Sequence, residues 1–222
     1  MTTPLSRPDV IDQLAGIVPG HALDATRAGR AQARLHSQQS YLALFEPASP
    51  PPADAFTLVQ RFAVATFVAL LHGQSQATRF YADGLASHGA SRELINAIAA
   101  EAAAGDASGP YGRYPEGPLS VEDAPGLSYG VSKASAGVLG ARLSAALVHA
   151  HLLVFHPRDA SAQALQALLD AGWSETDIVT LSQLVSFLAF QLRVVVGLQV
   201  LKRSSDHDEA AASSPAAEAL AS

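Results

Sequence analysis

The chain contains no cysteine, and its single methionine is the first residue. Disulfides, thiolate nucleophiles, zinc–thiolate sites and iron–sulfur clusters are therefore excluded, and no internal thioether is available as a metal ligand. Aromatic residues make up only 6% and β-branched residues are modest, which favours helix over sheet. Charge is sparse at 15% and leans acidic: 14 Lys and Arg against 20 Asp and Glu give a formal net charge of −6. A phosphate-backbone partner needs a basic face. Arg27, Arg30 and Arg34 offer only a short stripe, so nucleic acid is not expected. The opening residues MTTPLSRPDV lack the apolar core of a signal peptide, so a cytoplasmic location is expected. No G-x-S-x-G, P-loop, G-x-G-x-x-G or H-E-x-x-H motif occurs.

What is present is a run of helical segments rich in alanine and leucine. Residues 9–17 read as a short amphipathic helix ended by Pro19-Gly20, and residues 24–45 as one long polar helix. A proline-rich connector, 46–53, leads to an apolar helix from Asp54 that Gly73 stops in a left-handed conformation. Further helices are expected over 75–87, over 91–104 with Ser91 as cap, and over 133–156, where Pro157 ends the run. A helical hairpin follows over 158–201. Asp159 is expected to cap its first arm, Gly172 to close that arm, and Ser174 with Asp177 to cap the second. The second arm is apolar on nearly every face yet carries Gln183, Gln191 and Arg193. Such a helix must be surrounded by protein or lipid, and its polar groups must find partners. The cost of a mid-bilayer arginine favours a buried central helix over a membrane span. The polar tail 204–222 is expected to be disordered, leaving one all-α domain over 1–203.

Residues 58–85, LVQRFAVATFVALLHGQSQATRFYADGL, form one distinctive region. Residues 142–198 form another, with Ala171-Gly172-Trp173-Ser174, Asp177-Ile178, Phe187, Phe190 and Arg193. Together they resemble the carboxymuconolactone decarboxylase/alkylhydroperoxidase-D-like superfamily, in particular its peroxidase-related CMD domain proteins. The resemblance covers about half of the chain and implies an all-α alkylhydroperoxidase-D-like fold that assembles as trimers or hexamers. In thiol-peroxidase members a Glu precedes a Cys-x-x-Cys and a His. Placing the turn glycine at Gly73 puts Phe62 at the Glu, Gln74 and Ala77 at the cysteines, and Tyr81 at the His. The resemblance thus implies the fold, while these residues remove the thiol peroxidase mechanism. Direct peroxidase activity would need a bound cofactor, and none is expected.

The candidate residues for chemistry are His72, Tyr81 and His149 as proton-transfer groups, and Arg193, Gln191 and Gln74 for substrate binding. Structural alternatives exist: His72 in a last helical turn, Tyr81 as packing with its hydroxyl at a rim, Arg193 in an ion pair with Glu93, Glu101 or Asp159 or, equally, across a subunit interface. Arg61 poses the same question on the first apolar helix. His149 and His151 point to different faces, and His149 and His156 lie about 10 Å apart along the helix, so no metal site is expected. The 105–132 connection, with Tyr111, Arg113, Tyr114, Glu116 and Tyr129, reads equally as a lid or as an interface. Two functions follow. One is non-thiol acid/base chemistry on a small organic ligand within a homo-oligomer. The other is a non-catalytic binding or assembly subunit, partnering a cysteine-bearing relative.

Overall fold

The periodic segments fold as helices throughout. The computed structural model describes residues 8–212, and among these it contains nine α-helices, two 3-10 turns and no β-strand. The helices are α1 (Val10–Ala15), α2 (Ala22–Ala28), α3 (Ala31–Phe45), α4 (Leu58–Leu71), α5 (Ser75–Ser87), α6 (Arg92–Ala104), α7 (Lys133–Phe155), α8 (Ala162–Asp170) and α9 (Glu175–Ala212). The chain groups into two compact units. One combines residues up to Leu42 with those from Arg193 onward; the other is Ala43–Leu192.

In the first unit the single helix expected over 24–45 is broken at Gly29, whose N–H turns back onto Ala25 and Arg27 carbonyls. The break lets two arginines converge on three carboxylates. Arg27 donates from Nε to Asp12 at 2.7 Å and from Nη2 to Asp9 at 2.8 Å. Arg34 bonds Asp12 and, at 3.1 Å, Asp24. The basic stripe of the sequence is therefore largely neutralised inside its own unit. Asp9 also caps α1, accepting from Ile11 and Asp12 N–H. On the α9 side, Lys202 pairs with Asp206 at 2.8 Å, one turn on. That pair and the alanines beyond it carry helix past Arg203 to Ala212, so the expected tail begins as helix. Residues 213–222, also assigned to that tail, lie outside the described residues.

The second unit is built around α4, whose residues 62–69 are all buried. Thr57 and Gln60 form a reciprocal capping box at its start. Around it pack α5, α6 and α7. α7 is kinked at Gly140 (φ 70°, ψ 169°), a conformation open to glycine and costly for other residues.

The hairpin motif is bolted to this core. Trp173 packs edge-on against Phe56 at 5.0 Å and donates from Nε1 to the Arg142 carbonyl. The Arg142 guanidinium lies over the indole at 4.9 Å, and Asp177 accepts from Phe56 N–H at 3.0 Å. The first arm is capped by Ser161, not Asp159. α7 and the Glu175–Asp206 part of α9 are long and apolar enough to cross a membrane by length and composition. Of their most apolar 18-residue stretches, 50% and 39% are buried within the chain.

Candidate functional site

The 105–132 connection is pinned at both ends. At its far end Glu101, 1% exposed, accepts from the Tyr129 hydroxyl at 3.0 Å and the Ser132 hydroxyl at 2.6 Å. Burial opposes ionisation of Glu101, but hydrogen bonds from Ser132, Ser135 and Tyr129 together outweigh it and hold the carboxyl below its ordinary value. Burial, reinforced by Glu101, pushes the Tyr129 phenol far above its own.

The middle of the connection folds onto the end of α7. Gly112 and Ala124 exchange backbone bonds of 2.9 and 3.1 Å, and Tyr111 N–H donates to the Phe155 carbonyl at 3.0 Å. Arg158 lies over the Tyr114 ring at 4.2 Å and donates to the Glu122 carbonyl.

These contacts leave an open cleft of about 370 Å³, lined among others by Tyr111, Arg113, Gly126, Ser128, His156 and Asp159. Its chemistry centres on one bond: His156 Nδ1 lies 3.1 Å from Asp159 Oδ2. A carboxylate only accepts, so Nδ1 is the donor, and the tautomer this bond selects carries its lone pair on Nε2. Asp159 is fixed in turn, its Oδ1 accepting from Arg113 N–H at 2.8 Å. The imidazole is also held by Tyr111, stacked at 4.8 Å and 12°, and by the edge of His151 at 5.5 Å. Carboxylate, oriented imidazole and open cleft are the parts of a general-base site.

The residues expected to carry chemistry lie elsewhere. Tyr81 is 0% exposed, donates to Gln191 Oε1, and is packed by Phe45 (5.2 Å), Phe80 (5.1 Å) and Phe62 (6.4 Å). The positions that the family resemblance assigns to redox groups are thus filled by buried Phe62, Ala77 and Tyr81, while Gln74 donates to the His72 carbonyl. His72 donates from Nδ1 to the Val68 carbonyl and lines a different cleft, of about 570 Å³, floored by Ala99, Ala102 and Ala103 with Asp106 beside it. His149 is buried on α7 and bonds Ser182 at 3.1 Å; burial lowers its pKa.

Arg193 is exposed on α9 rather than buried. Arg61 finds carbonyls instead of a carboxylate, donating to Phe56 and Leu44 at 2.9 Å each. Among the described residues no group of three or more His, Cys, Asp and Glu is placed to hold a metal ion.

Sequence reading missed the pairing of His156 with Asp159. A His before the helix-ending Pro157, with an acid three residues on, was its one local signal. Comparison of the chain with protein-family models, with curated proteins and with solved structures finds no match.

Proposed function

We propose that the chain binds a small organic molecule in the 111–128 cleft and exchanges a proton with it through His156, with Asp159 as positioning residue. The single observation that carries this reading is the His156–Asp159 bond inside a cleft lined by further polar groups. A volume near 370 Å³ falls at the small end of the ~300–1,000 Å³ range of ligand pockets. The reading agrees with the absence of thiols and with a cysteine-less relative of the carboxymuconolactone decarboxylase-like proteins, but moves the chemistry from the α4–α5 turn to the end of α7. The test is a fragment screen by NMR on the full chain with labelled histidine. Fragments that bind should shift the His156 ring nitrogens and the amides of 111–128, and His156→Gln should abolish those shifts while the helical circular dichroism is kept. Hits that bind His156→Gln equally, or none that touch the cleft, would refute it.

A second reading, the assembly subunit, rests on a different observation. α9 leaves Val179, Phe190, Val200 and Leu201 exposed, and only 39% of its most apolar stretch is covered by the chain itself. Apolar helix faces of this kind mark interfaces. Such a subunit would form trimers or hexamers in the cytoplasm, or join a cysteine-bearing relative. Sedimentation of the wild type against Phe190→Lys tests this: a lighter, still helical species is expected.

A further inference from the structure

The cleft holds a hydroxyl that plain proton exchange does not use. Ser128 lines it together with His156 and Asp159. Its side chain has no hydrogen-bond partner among the described residues, and the N–H groups of Gly126, Leu127 and Ser128 donate to none. This segment is not placed by chance. Tyr111, whose ring stacks on His156, donates its hydroxyl to the Leu127 carbonyl at 2.8 Å. Gly126 lies so close to the same ring that a Cβ there would collide with it. One tyrosine therefore fixes both the imidazole and the backbone that bears Ser128.

We infer that Ser128 is a nucleophile and that the cleft hydrolyses small acyl esters. The inference rests on the general-base reading of His156. Ser128 does not bond His156 in this structure, so its hydroxyl must first turn toward Nε2; its oxygen then bonds to the acyl carbon as its proton passes to His156 Nε2, and the carbonyl electron pair moves onto oxygen. The uncommitted N–H groups of 126–128 are the donors available to that oxyanion. Asp159 stabilises the imidazolium. Collapse breaks the bond to the alkoxide, which takes the proton from Nε2 and leaves as alcohol. Water then bonds to the acyl carbon and gives a proton to Nε2. The acyl–Ser128 bond breaks, the proton returns to Ser128, and a carboxylic acid is released. Ester and water become acid and alcohol, with no redox change. The Ser, His, Asp chain order matches none of the familiar triads, but such sites are recognised by roles rather than order.

The experiment uses the full chain with 4-nitrophenyl acetate and, separately, a fluorophosphonate probe read by peptide mass spectrometry. Turnover at least tenfold above Ser128→Ala and His156→Gln is expected, with the phosphonate on Ser128 alone. Ser128→Thr, which keeps a hydroxyl, should retain more activity than Ser128→Ala. Turnover that survives Ser128→Ala but is lost in His156→Gln overturns the nucleophile and leaves the general-base reading standing. Turnover unchanged in both variants overturns both. No turnover and no labelling by the wild type overturns the esterase inference, while the fragment screen still judges the base.

Discussion

The ring of Tyr129 lies on the ring of His151, centres 4.5 Å apart and planes 26° from parallel, while the Tyr129 hydroxyl donates to Glu101. One residue of the connection thereby joins α6 to α7 by two unlike contacts, an aromatic face on imidazole and a polar end on a buried carboxylate. His151 continues the chain of rings to Phe155 at 4.9 Å and His156 at 5.5 Å. The cleft is assembled outward from Glu101, which is held by neutral donors.

Removing one donor from that carboxylate should be expensive. Tyr129→Phe is expected to lower unfolding free energy by about 1–3 kcal/mol, the cost of leaving a buried polar group under-bonded. Glu101→Gln should cost less in the Tyr129→Phe background than in the wild type, because the two groups share one interaction. Urea denaturation of the four-member cycle measures this. Losses that add to within about 0.3 kcal/mol would show that the bond carries no coupling.

Acid should destabilise the fold, and the sign follows from two histidines. Burial is the leading cause that lowers the pKa of both His149 and His151 below the ordinary 6.5. Each donates from Nε2, to Ser182 and to the Gly105 carbonyl, and each leaves Nδ1 buried without a partner. Below about pH 6.5 the unfolded chain takes up protons that the folded chain refuses, so stability is present above that pH and lost as pH falls, by up to about 1.4 kcal/mol per pH unit per histidine. Glu101, held below its ordinary 4.5, adds a contribution that is lost at lower pH still. Thermal midpoints should fall from about pH 7.5 to about pH 5.5, and His149→Gln with His151→Gln should flatten the curve in that window. A flat wild-type curve there would contradict neutral burial.

The fold was more legible in the sequence than the site. Helix ends are written locally: Ser91, Gly73 and the Ser174–Asp177 pair fall where caps and stops belong, and the structure uses them. The kink at Gly140 and the break at Gly29 were hidden, because each glycine lies inside a stretch of helix-forming residues and one glycine in a helix only weakens it. Arg193 misled for a related reason. In a helix apolar all round, nothing local says which way one residue points. The site depends on pairs remote in sequence, such as Glu101 with Ser132 and Arg113 with Asp159, which leave no local pattern. Asp159 itself suits a helix cap by position, and only the three-dimensional turn turns it toward His156.

The first unit predicts a large effect at a single arginine. Arg27, 8% exposed, forks between Asp9 and Asp12, and no other side chain type can bridge two carboxylates in that fixed geometry. Arg27→Met should cost about 3–5 kcal/mol by stranding buried charge. Arg27→Lys should restore only part of it. Chemical denaturation checks this, and a loss under about 1 kcal/mol would place the pair in the class of surface ion pairs.

The Tyr81–Gln191 pair offers the sharpest separation of packing from chemistry. Both residues are 0% exposed, and Gln191 Nε2 has no partner, so the pair is already half-satisfied. Tyr81→Phe removes the donor to Gln191 Oε1 and should cost about 1–3 kcal/mol. Adding Gln191→Leu replaces the remaining polar group by an apolar one of similar size, and stability should return to the wild-type value or above it. Throughout the series, ligand shifts at His156 should persist, because Tyr81 sits among Phe45, Phe62 and Phe80 and does not line the cleft. If Tyr81→Phe instead abolished binding or turnover in a protein that remained folded, the proton-transfer site would belong at the α4–α5 turn, and His156 would be a structural histidine.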